Sequence, residues 1–64
     1  MTIEQWCSYL GWSIAELSRR AGIDYRSALK AHSGTGVSGR IQQAIAEVIS
    51  SASGKRVNVG DIVW

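Results

Sequence analysis

This sequence has no proline, one cysteine, one histidine and only five acidic residues among 64. The lone Cys7 excludes an internal disulfide, and Cys7 with His32 cannot supply the four protein ligands of a structural zinc site. No apolar run approaches the roughly 20 residues needed to span a bilayer. The opening TIEQWCSYLG mixes polar with apolar residues, unlike a signal peptide, so a soluble cytoplasmic protein is expected. There is no paired-carboxylate cluster, no Cys-His arrangement at motif spacing and no lysine-bearing phosphate loop. Gly34-Thr-Gly36 is too short for such a loop and lacks a preceding strand. An enzyme is not expected, and neither a cofactor nor a metal. With no internal repeat and no linker-like stretch, residues 1–64 read as one domain. Its size is near the lower limit for a core without disulfides or metal, so helix packing must supply that core, with a second subunit as a further source.

What is present is an uneven charge. The net charge is +2, yet residues 1–18 hold only Glu4 and Glu16, while residues 19–40 hold Arg19, Arg20, Arg26, Lys30 and Arg40 against Asp24 alone. Lys55 and Arg56 offset Glu47 and Asp61 in the remainder. The middle third is the basic part, which reads either as a solvated face or as a surface for a polyanion.

Start and stop signals divide the chain into four helices. Thr2-Ile-Glu-Gln5 is a capping box opening a helix over 2–10, with Ile3, Trp6, Cys7 and Leu10 on one face and Gly11 as the stop. Ser13-Ile-Ala-Glu16 is a second capping box, with Trp12 placed to staple onto Leu17. It opens a helix over 13–21 that buries Ile14, Leu17, Ser18 and Ala21 and ends at Gly22. Asp24 caps a third helix over 24–32. After the loop Ser33-Gly-Thr-Gly-Val37, Ser38 caps a fourth helix over 38–52. Its apolar stripe is Ile41, Ala44, Ile45, Val48, Ile49 and Ala52, and Gly54 ends it. The tail 55–64 alternates at Val57, Asn58 and Val59 and so predicts a short strand. Gly60-Asp61 then makes a turn, and Ile62, Val63 and Trp64 return to the core or to a partner. The expected fold is mainly α: a compact bundle of four short helices with a short C-terminal extended segment.

The second and third helices have the length and the Gly-containing connection of a helix-turn-helix, with Leu17, Ala21, Ile23, Ala28 and Ala31 inward and the small Ser18 permitting close approach. Leu17, Ser18, Ala21-Gly22-Ile23 and Asp24 resemble the Cro/repressor helix-turn-helix superfamily. HSGTGVSGRIQQAIAEVI followed by GKRVNVGDIVW is similar to the small YdaS-type Cro-like proteins of prophages. Two departures stand out. That family usually carries Gln, which often helps hold a phosphate, where Ile14 stands. Ala28 and Ala31 occupy sites normally filled by Val, Ile or Leu, so either the third helix packs unusually close or Leu29 turns inward.

The resemblance implies a sequence-specific transcriptional regulator, a repressor of phage or prophage type, that binds double-stranded DNA as a homodimer. The third helix would enter the major groove and Tyr25, Arg26, Ser27 and Lys30 would read bases. Arg26 suits guanine O6 and N7, and Tyr25 suits a thymine methyl or a phosphate. Ser13, Arg19, Ser33, Thr35, Ser38 and Arg40 have donors or charge for phosphate oxygens. Arg19 and Arg20 equally suit the negative end of their own helix, and Asp24 serves the cap better than DNA. His32 reads as a solvent or phosphate contact, Trp6 and Trp12 as core, and Trp64 as a core cap or a dimer contact. The dimer surface would be the fourth helix or the tail. The competing reading is a protein-binding module, an antitoxin or adaptor that uses the same fold to hold an acidic partner.

Overall fold

The computed structural model covers residues 1–64 and contains four α-helices, α1 (Ile3–Leu10), α2 (Ile14–Ala21), α3 (Tyr25–Ser33) and α4 (Gly39–Ser53), with one 3-10 turn at Val59–Asp61 and no sheet. Every helix opens on the expected cap, because a side-chain oxygen there takes an amide that no turn of helix can satisfy. Thr2, Ser13, Asp24 and Ser38 accept from Gln5, Glu16, Ser27 and Ile41 respectively. The Thr2 box is reciprocal, since Gln5 Oε1 accepts from the Thr2 amide at 2.9 Å. At Ser13 it is one-sided: the Glu16 carboxylate binds Arg19 and Arg20 instead of reaching back, because two cations one turn along are stronger partners than a single amide.

α1 and α2 each pack on both α3 and α4, and α2 packs most extensively on α3. Ile3, Leu17, Ile45, Ile49 and Cys7 are the largest side chains fully enclosed, with Trp6, Ala28, Ala31, Ala46, Val57 and Ile62 around them. The α2–α3 connection is tight. Gly22 takes φ 67°, a left-handed conformation that side chains resist. Ser18 Oγ then donates to the Ile23 carbonyl at 2.6 Å, so the small residue that lets the helices approach also pins the turn between them.

Of the two ways α3 can pack, the structure takes the close one. Ala28 and Ala31 are buried while Leu29 remains 41% exposed. On α4 the inward face centres on Ile45, Ala46 and Ile49. Ile41, Ala44 and Val48 flank it half-buried and Ala52 lies outside, so the stripe is rotated toward Ala46 from the one expected.

The tail differs from expectation. Residues 57–59 form no strand. Val57 is buried, its amide and carbonyl both bonded to Ser50 Oγ at 2.8 and 2.7 Å, and the chain then makes the 3-10 turn, where Asp61 Oδ2 accepts from the Asn58 amide at 2.9 Å. Two hydrogen bonds to one α4 hydroxyl leave Val57 no free backbone group with which to start a ladder. The only β contact is an isolated parallel bridge between Thr2 and Val63. Trp64 packs against the core of its own chain and donates Nε1–H to the Val59 carbonyl at 3.0 Å. No helix is long and apolar enough to cross a membrane.

Candidate nucleic-acid interface

α3 buries only alanines, and apart from the half-buried His32 its large side chains are exposed. Ala28 and Ala31 mark the buried side, and Tyr25, Arg26, Leu29, Lys30 and Ser33 are all exposed. Arg26 and Lys30 stand one helical turn apart, a spacing that puts them on the same side of the helix. Neither has a carboxylate partner, because the ion pairs of the molecule are those of Glu16 with Arg19 and Arg20.

The acid nearest these cations is tied down. Asp24 accepts from the Ser27 hydroxyl at 2.6 Å and from the Ser27 amide at 3.3 Å. The hydroxyl holds the Asp24 carboxyl below its ordinary range; desolvation is the next effect and opposes it, while the backbone amides of Ser27 and Asp24 and the charge on Arg26 each lower it by less. Of the four expected base readers, Tyr25, Arg26 and Lys30 therefore project freely, while Ser27 is half-buried and gives its proton to the cap.

The expected phosphate contacts fall into groups. Ser38 and Arg40 lie at the start of α4 and line a cleft of about 510 Å³ with Ala21, Gly22, Ile23 and Asp24, so the basic start of α4 adjoins the start of α3. Ser33 and Thr35 lie at the other end of α3, where the Thr35 hydroxyl donates to the Lys30 carbonyl at 3.2 Å. Ser13 and Ser38 accept amides as caps, and accepting leaves their hydroxyl protons free for an anion. Arg19 is paired with Glu16. Arg20 shares Glu16 and lies over Trp12, its guanidinium carbon 5.1 Å from the ring centroid. The α2 cations are thus held by their own helix and the α3 cations are not.

Two features were not settled by the residues. One is Leu29, which the sequence left free to turn either way and which lies on the outward face. The other is a groove of about 750 Å³ between α4 and the tail, lined by Gln43, Glu47, Ser50, Arg56 and Asn58 among others. A serine at position 50, between Ile49 and the tail, was its one visible signal, since a hydroxyl beside a core isoleucine needs a backbone partner. The groove carries both charges, unlike the face of α3. No three His, Cys, Asp or Glu side chains converge as a metal site would require. Comparison with family models, with curated proteins and with solved structures finds no match to this chain.

Proposed function

We propose that this protein is a sequence-specific DNA-binding regulator of the Cro/repressor kind, cytoplasmic, which occupies a palindromic operator as a homodimer with α3 in the major groove. The observation that carries the reading is the division of cations: Arg26 and Lys30 project from α3 without an ion-pair partner, whereas Arg19 and Arg20 share the Glu16 carboxylate. A solvated face gains from intrahelical ion pairs, and α3 forgoes them. Free guanidinium and ammonium groups on an exposed helix suit base edges and phosphates.

In this reading α2 and α3 act as the two helices of a helix-turn-helix, with α2 across the backbone. Arg26 donates two parallel hydrogen bonds to a guanine, Lys30 reaches a neighbouring acceptor, and Tyr25 lies against a thymine methyl or a phosphate. Ser13, Ser38 and Arg40 hold phosphates from the starts of α2 and α4, with Ser33 and Thr35 beyond the end of α3. The longest dimension of the fold is 26 Å. That is shorter than the roughly 34 Å between successive major-groove faces, so one molecule meets one half-site and two are needed for an operator.

The deciding experiment is selection of bound duplexes from a random-sequence library, with wild type and Arg26→Ala in parallel. The expected result is a palindromic motif that loses one base preference in the variant, a loss of about 1–3 kcal/mol in discrimination. Affinity for the selected site should also fall steeply with salt, as counterions released from phosphates require. No enriched motif in either sample would overturn the reading and put an acidic protein partner, held by an antitoxin or adaptor, in its place.

A further inference from the structure

Leu29 is the one aliphatic side chain larger than alanine on α3, and the fold leaves it 41% exposed among charged neighbours. It follows Tyr25, itself 54% exposed, by one turn. At about 100° per residue, Leu29 falls angularly between Tyr25 and Arg26 on the side opposite Ala28 and Ala31. Side chains four apart on a helix have Cβ atoms about 5–6 Å apart, so Tyr25 and Leu29 make a small exposed apolar patch next to Arg26.

A major groove offers such a patch one complementary group. Phosphates, guanine O6 and N7, cytosine N4 and adenine N6 and N7 are all polar, and the C5 methyl of thymine is the only aliphatic group on a base edge. We propose that Leu29, with Tyr25 beside it, recognises a thymine through that methyl, adjacent to the base taken by Arg26. This rests on the operator-binding reading above and adds to it a defined chemical preference. Leu29 has no hydrogen-bonding atom, so its discrimination is wholly apolar and separable from that of Arg26.

The test uses the duplex selected by the wild-type protein, with each thymine replaced in turn by deoxyuridine. Uracil keeps every hydrogen-bonding group of thymine and lacks only the methyl. Affinities at one fixed salt concentration are compared for wild type, Leu29→Ala and Leu29→Met. The expected result is one thymine per half-site whose replacement weakens the wild type about fourfold, the equivalent of one buried methyl group. The same replacement should weaken Leu29→Ala clearly less than wild type, since only Tyr25 then meets the methyl in full, and weaken Leu29→Met as much as wild type, because Met keeps a large apolar side chain. Thermal unfolding of both variants close to wild type shows that the effect belongs to the interface. A motif that depends on Arg26, with no uracil position distinguishing wild type from Leu29→Ala, overturns the inference and leaves operator binding standing. Absence of any motif removes both, and it is seen before a thymine is replaced.

Discussion

α3 and α4 both rest on α1 and α2, and they bury opposite kinds of side chain. α4 puts Ile45 and Ile49 fully inside with Ala46 between them, while α3 contributes only Ala28 and Ala31. One helix fills the core with large side chains and the other packs closely against it through small ones. A helix anchored by alanines lies close to its neighbours and keeps Tyr25, Arg26, Leu29 and Lys30 outside, where a ligand can meet them. Under the proposed function, stability and recognition fall to different helices, so mutations should separate the two.

The strongest challenge to this division is Ile49→Ala. Deleting a fully buried aliphatic side chain costs about 2–5 kcal/mol, against a total of roughly 0.05–0.15 kcal/mol per residue in typical domains. Urea unfolding followed by circular dichroism should show the largest fall in midpoint of any of these variants. Ala28→Leu probes the other helix and should cost about 1–3 kcal/mol by overpacking. Because the added volume lifts α3 from its seat, DNA affinity should fall by more than the unfolded fraction accounts for, which parallel titration and melting would reveal. Ser50→Ala removes the hydroxyl that serves both Val57 N–H and C=O. A loss of about 1–2 kcal/mol is expected, with faster amide exchange in residues 57–63 and none in α3.

The smallest effect concerns the caps. Asp24 starts α3 with a titratable group whose carboxyl is held low by Ser27, and Ser38 starts α4 with one that does not titrate. A carboxyl with a depressed folded pKa contributes its full stabilisation above the unfolded value near 3.9, and that contribution is lost as pH falls through the folded value. Wild type should therefore show an acid-dependent loss below about pH 4 that is smaller in Asp24→Asn, since Asn caps without a charge to lose. Melting temperatures between pH 2.5 and 7 check this.

The helices were legible because their boundaries are local. Thr2, Ser13, Asp24 and Ser38 each bond an amide three residues on, and no distant residue enters that geometry. What escaped the sequence depends on competition or on distance. Glu16 had both an amide and two arginines in reach, and charge decided between them. Spacing left Leu29 able to turn either way, because the answer lay in how closely α1 and α2 approach. The tail alternates like a strand, but Ser50, seven residues earlier, takes the backbone groups a strand would need. At the candidate site, the cations of α3 could be named from their positions. That Arg19 and Arg20 share Glu16, that Ser27 serves the cap, and that the start of α4 adjoins the start of α3 required coordinates.

The same four caps bear on how fast the chain finds its shape. Each helix carries its own beginning, and each stops at a left-handed glycine within the same stretch, from Gly11 to Gly54. Nascent segments therefore acquire correct limits before they meet, and the search that remains is the docking of four pre-cut pieces over short loops. Helical proteins with such local contacts fold in microseconds to milliseconds. With no proline to isomerise, no slow phase of tens of seconds should follow.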